Sequence, residues 1–106
     1  GAGADGHTAS LFPGSAAIQE RTRLAVPVLK RVPEKNRITI TLPVLNNAAH
    51  VLFLASGPQK ASVVREIFEN GNARGFPAGL VQPVSGSLEW FIDRSAASGS
   101  RSLSGG

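Results

Sequence analysis

Apolar positions recur along this chain with two different periods. In Arg37-Ile38-Thr39-Ile40-Thr41-Leu42 they alternate: Ile38, Ile40 and Leu42 share one face, and Arg37, Thr39 and Thr41 share the other. A period of two predicts a strand. Val51-Leu52-Phe53-Leu54-Ala55 is an unbroken apolar run bounded by Ser56-Gly57, which predicts a buried central strand. From Pro58 to Asn70 the period lengthens. Ala61, Val64 and Phe68, joined by Val63 and Ile67, form a stripe, while Arg65 and Glu69 stand four apart on the exposed side. That pattern predicts an amphipathic helix, with Gly71 as its stop.

Weaker signals fill the remainder. Leu24 to Leu29 is apolar but interrupted by Pro27, so it reads as an edge or irregular strand, followed by a polar connection from Lys30 to Asn36. Pro43 opens a short helix from Val44 to Ala49. Thr8 to Phe12 reads as a short helical turn ended by Pro13-Gly14, and Pro77 to Val81 as another single turn. Leu88 to Ile92 is the final strand, and Asp93 caps a short helix after it. No internal repeat is visible. Strands alternating with helices predict an α/β layer, and residues 98–106, rich in Ser and Gly, read as a flexible tail.

Composition narrows the class. With 106 residues, 42% of them hydrophobic, the chain suits one small domain or part of a larger one, with enough apolar material for a core. No apolar run approaches the roughly 20 residues needed to span a bilayer. The absence of cysteine excludes disulfides and thiolate metal sites and leaves the compartment unfixed by redox chemistry. A net charge of +4 and a pI near 10.8 raise the question of nucleic acid. The charges are scattered, however, and the interleaved aromatics of an RNA-binding sheet are missing. A small anionic ligand fits the same balance.

The chemistry concentrates at the start, in Gly1-Ala2-Gly3-Ala4-Asp5-Gly6-His7-Thr8-Ala9-Ser10. The spacing formally matches G-x-G-x-x-G. Yet His-Thr-Ala-Ser follows in place of a long helix, and no acidic residue closes a βαβ unit, so a dinucleotide site is not favoured. Glycines allow a tight loop, and Asp5 and His7, two apart within it, can cooperate around one ligand. A neutral imidazole can take a proton from water, with Asp5 orienting the ring. The loop reads as an active-site loop whose upstream half is missing. Ser10 lacks a nucleophile elbow and reads as a structural hydroxyl. His50 reads as a surface or junction residue, and two distant histidines make a poor zinc site. Lys60, in the first turn after the apolar strand, opposes the helix dipole but would add a full charge to a phosphate site. Arg37 is a second candidate anion clamp or a surface residue.

Four blocks in order resemble the C-terminal half of the 6-phosphogluconolactonase family: Gly3 to Pro13, Arg37 to Asn46, Ser56 to Ala61, and Pro77 to Pro83 followed by Leu88 to Asp93. The resemblance covers residues 1 to about 97. It implies the C-terminal part of a Rossmann-like α/β fold of the type shared by glucosamine-6-phosphate isomerase, ribose-5-phosphate isomerase and CoA-transferase. Residues 1–97 would then belong to a single domain whose N-terminal half is absent, with 98–106 as its tail. The implied activity is hydrolysis of 6-phospho-D-glucono-1,5-lactone in the cytoplasm, without metal or organic cofactor. The expected partner is a small sugar-phosphate lactone, not nucleic acid or membrane. His7 matches the family's catalytic histidine, Asp5 the carboxylate beside it, and Lys60 the lysine of a G-x-x-K turn associated with the sugar phosphate. Arg37 matches the arginine before the T-x-T strand. Backbone N–H groups near Gly3 and Gly6 are expected to serve the oxyanion. An aminosugar-phosphate deaminase/isomerase is the first alternative, but its motif carries a glutamate five residues after the histidine, where this chain has Phe12. A non-catalytic sugar-phosphate-binding protein is the second. The chain alone is expected to be inactive.

Overall fold

The computed structural model describes residues 1–29 and 36–100. Its strands are β1 (Ala25–Val28), β2 (Arg37–Ile40), β3 (His50–Ala55) and β4 (Ser87–Ile92), and its helices α1 (Leu42–Asn46), α2 (Ala61–Phe68) and α3 (Arg94–Ala97). Short 3-10 turns at Ala16–Gln19, Pro58–Lys60, Ala73–Gly75 and Pro77–Leu80 fill the connections. β1 and β2 form an antiparallel pair, with Ala25 opposite Ile40 and Val28 opposite Arg37. β3 and β4 form a parallel pair, from His50 opposite Ser87 to Ala55 opposite Ile92. A parallel pair with a helical crossover is the unit of an α/β layer, as the alternating pattern predicts.

The β3–α2–β4 unit follows from its apolar residues. Phe53 and Ala55 on β3 and Val63 and Val64 on α2 are buried. Burial of such side chains contributes about 1.5–3 kcal/mol each for the larger ones. The Trp90 ring stacks on Phe53 at a centroid distance of 4.2 Å and meets the edge of Phe68 at 5.3 Å. Asp93 caps α3 as its position predicts, accepting from the Ala96 N–H at 2.9 Å. The same carboxylate accepts from the Gly57 N–H at 3.2 Å, so it also fastens the turn that leaves β3. A second clamp is Asn46, whose side chain donates to the Leu80 carbonyl and accepts from the Gln82 N–H.

Several expectations change. Among the described residues β3 is an edge strand, not a buried central one: Leu52 and Leu54 are exposed, and its one ladder partner is β4. Its two buried side chains, Phe53 and Ala55, share one face. The long helix divides into a 3-10 turn and an α-helix that stops at Phe68, which is itself exposed. α1 begins one residue before Pro43 and ends at Asn46. Residues Thr8 to Phe12 are not helical. Thr8 and Leu11 pair across a tight turn, Leu11 N–H donating to the Thr8 carbonyl at 2.9 Å, with Ala9 at a positive φ of 50°.

β2 holds the largest surprise. Its two apolar residues, Ile38 and Ile40, face outward, and Thr39 faces the interior, as does Thr41 just beyond. Both threonines are satisfied there. The Thr39 hydroxyl accepts from the Ser10 N–H and donates to the Ile40 carbonyl; the Thr41 hydroxyl donates to the Arg23 carbonyl at 2.7 Å. Of the connection expected at Lys30 to Asn36, all but Asn36 lies outside the described residues. At the other end, Ser100 is buried, so ordered structure continues three residues past Ala97, and residues 101–106 lie outside the described residues.

Candidate active site

The first seven residues fold back on themselves. The Gly6 N–H donates to the Gly3 carbonyl at 2.9 Å, and the Gly3 N–H donates to the His7 carbonyl at 2.8 Å. Asp5 sits at the tip of this turn. Its Oδ1 accepts from the His7 backbone N–H at 3.0 Å and lies 2.6 Å from His7 Nδ1. An aspartate that binds the backbone two residues on is a common turn device; here the same oxygen also holds the ring.

Two glycines make the turn possible for different reasons. A Cβ on Gly3 would overlap the His7 imidazole and crowd the Asp5 carboxylate. Gly6 has a φ of +87°, and a Cβ there would overlap the Phe76 ring. The loop is then pinned from outside: the Ala78 N–H donates to the Gly6 carbonyl at 2.8 Å, and the Thr8 hydroxyl donates to the Gly1 carbonyl at 3.0 Å. These pins hold a site that is largely open; the Asp5 side chain is 53% exposed and His7 35%.

The pair has a defined polarity. Burial works to raise the Asp5 pKa, but the ring and backbone hydrogen bonds from His7, with the attraction of its charge, hold it below the usual carboxylate value. Asp5 is therefore ionised at neutral pH and can only accept. Nδ1 must carry the hydrogen, which leaves the Nε2 lone pair of neutral His7 as the proton acceptor.

Lys60 reaches this loop from the opposite side of the sequence. It stands between the 3-10 turn after β3 and the start of α2, and its Nζ donates to the Ala2 carbonyl. Ala2 precedes Gly3, so the ammonium and the imidazole belong to one constellation, although 58 residues separate Lys60 from Ala2. Arg37 stands at the exposed start of β2. Its side chain makes no hydrogen bond or ion pair with a described residue, so the structure does not bring it to the Asp5–His7 pair. Ser10 donates its backbone N–H to the Thr39 hydroxyl at 3.1 Å. His50 pairs with the Ser87 hydroxyl at 2.7 Å on the exposed edge of the β3–β4 pair. Among the described residues no group of three or more His, Asp or Glu side chains could hold a metal ion.

Oxyanion donors are expected near Gly3 and Gly6; the N–H groups of these two residues are themselves donated within the turn, to the His7 and Gly3 carbonyls. The sequence pattern gave no sign of the contact of Phe12, whose ring lies 4.8 Å from that of His7, or of Phe76 and Ala78, which lock Gly6.

The loop carries a carboxylate–imidazole pair, and a lysine at the head of the crossover helix of an α/β layer reaches the same loop. The sequence matches the glucosamine-6-phosphate isomerases/6-phosphogluconolactonase family over residues 1–90, and the chain belongs to that family. It is 47% identical over 98 residues to 6-phosphogluconolactonase of Homo sapiens, a match covering 92% of this chain and 38% of that protein. The solved structure of the devB protein superimposes with a TM-score of 0.80 at 36% identity, covering 91% of this chain and 40% of that one. The 6-phosphogluconolactonase from Leishmania guyanensis does so with a TM-score of 0.77 at 30% identity, covering 93% and 39%. The fold is therefore the α/β fold of this family, and the chain spans well under half the length of the relatives it matches.

Proposed function

We propose that the protein carrying this chain hydrolyses 6-phospho-D-glucono-1,5-lactone to 6-phospho-D-gluconate, the second step of the oxidative pentose phosphate pathway, with His7 as general base. The observation that carries the reading is the 2.6 Å Asp5–His7 contact, which leaves Nε2 to accept a proton. The relatives named as lactonases support the choice of substrate. They also disfavour the deaminase/isomerase alternative, since Phe12 offers no acid five residues after His7.

In this mechanism Nε2 takes a proton from water while the water oxygen attacks the lactone carbonyl carbon. The tetrahedral intermediate collapses with cleavage of the ring C–O bond, and the departing alkoxide takes the proton back from the imidazolium. Asp5 stabilises that imidazolium and fixes its tautomer. Lys60 donates one hydrogen to Ala2, and its two remaining N–H groups serve the substrate phosphate. Arg37 is the second cation of this reading. Holding the phosphate fixes the lactone relative to Nε2, and orientation of this kind lowers the barrier directly.

The test is turnover of the lactone above its spontaneous hydrolysis, by the wild type and by His7→Ala. Wild-type turnover lost in a folded His7→Ala variant supports the reading. No turnover by the wild type, or full turnover by the variant, overturns it.

A further inference from the structure

We propose that Phe12 is a positioning residue for His7, one that fixes the face of the imidazole and favours its protonated form as water attacks. The inference rests on the reading of His7 as the base. Its own basis is geometric. The two rings are five residues apart in sequence, yet their centroids lie 4.8 Å apart at an interplanar angle of 35°. The intervening backbone is built to achieve this. Thr8 and Leu11 close a tight turn with Ala9 at positive φ, a conformation uncommon outside glycine. The fully buried Leu11 side chain anchors the far end of that turn. The Ser10 N–H is tied to Thr39 Oγ1 at 3.1 Å, and the Phe12 carbonyl accepts from Ser15 N–H at 3.0 Å. Phe12 itself is half-buried against the core, so its ring cannot swing away freely.

His7 is thus held from three directions: by Asp5 on Nδ1, by Gly3, where no Cβ fits, and by the Phe12 ring. Hydrogen bonding alone leaves a ring free to tilt about the Nδ1 contact; a neighbouring ring removes that freedom. An aromatic face also attracts a cation more strongly than a neutral group, so the contact is more favourable to the imidazolium of the transition state than to the resting imidazole. Only interactions of that kind accelerate the chemical step.

The experiment compares wild type, Phe12→Leu and His7→Ala in the protein carrying this chain. Leucine keeps apolar bulk at position 12 but has no π face. Phe12→Leu is expected to lower kcat about 10-fold, a modest loss of alignment, with little change in KM. Unchanged kcat, or a fall in kcat matched by a rise in KM, overturns the inference. Loss of turnover in His7→Ala alongside normal kcat in Phe12→Leu refutes only the role of Phe12; full turnover in His7→Ala refutes the underlying reading. A measurement on the wild type does not depend on how the variant folds. The sequence has two histidines, so their ring signals can be separated by NMR. The His7 ring protons are expected to be shifted upfield by the Phe12 ring, with Nδ1 protonated. Unshifted His7 signals overturn the contact itself.

Discussion

The loop Gly1–Phe12 and the β3–α2–β4 layer are held in opposite ways. The layer is set by burial: Phe53, Val63 and Val64 give up nearly all exposure, and Trp90 stacks against the first of them. Its polar contacts are few and lie at its ends, where Asp93 joins α3 to the turn after β3. The loop carries Asp5 and His7 near the surface and is set by backbone hydrogen bonds and by absent side chains, with Gly3 under the imidazole and Gly6 against Phe76. Apolar burial fixes where the elements lie. Hydrogen bonds and steric exclusion fix where single atoms lie, and proton transfer depends on single atoms.

If that division is right, variants should separate into two groups. His7→Ala is expected to lower turnover by about 10²–10⁴-fold, the usual contribution of a positioned base, while the melting temperature stays near the wild-type value; a large fall in melting temperature would break the division. Phe53→Ala should do the reverse. Removing a buried phenyl ring costs about 3–5 kcal/mol, read by thermal or denaturant unfolding, with turnover per folded molecule preserved.

Asp5→Asn sharpens the contrast within the loop. An amide can donate to the ring and stabilise the wrong tautomer, so turnover should fall about 10²-fold with little change in substrate capture. Lys60→Ala should mainly raise KM, by about 10-fold, the value of one charge-assisted contact. The rise should be seen for the phosphorylated lactone and not for plain gluconolactone; equal effects on both would return Lys60 to the role of loop tether.

The smallest effect belongs to the end of the layer. The Asp93 carboxyl is held below its usual pKa first by the Ala96 N–H, with burial opposing, and then by Gly57 N–H and the Ser95 hydroxyl. A lowered folded-state pKa gives stability that is fully present above the ordinary carboxylate range and is lost as pH falls through the folded value. Asp93→Asn keeps a capping oxygen but does not titrate. Its stability should lose part of its dependence on pH in the acid range, as followed by melting temperature between neutral and acid pH.

The elements of the layer were legible in the sequence because apolar runs and stripes mark strands and helices, but hydropathy did not tell which apolar residues are covered: Leu52, Leu54 and Phe68 are exposed. The apolar run at Val51 to Ala55, the stripe through Val63 and Val64, and the cap at Asp93 all stand where the pattern puts them. β2 was misleading on its faces because Thr39 and Thr41 are interior hydrogen-bond clamps, and alternation of polarity does not reveal which face a clamp takes. In the site, the Asp5–His7 pairing was legible from a spacing of two. The arrival of Lys60 at the loop was not, since it depends on how α2 is placed relative to the loop; its position after the apolar strand marked it as a candidate phosphate ligand but not as a neighbour of His7. The contact of Phe12 with His7 depends on a positive φ at Ala9, for which an alanine gives no signal.

The bond from Lys60 to Ala2 spans 58 residues, and the Ala78 N–H that holds Gly6 comes later still. Such distant contacts close late, because the entropy of bringing the ends together must be overcome first. On a ribosome, the residues of the loop emerge before either of its fastenings exists. The histidine site therefore takes its final form only after the crossover helix and the turn at Pro77–Leu80 have been synthesised and packed.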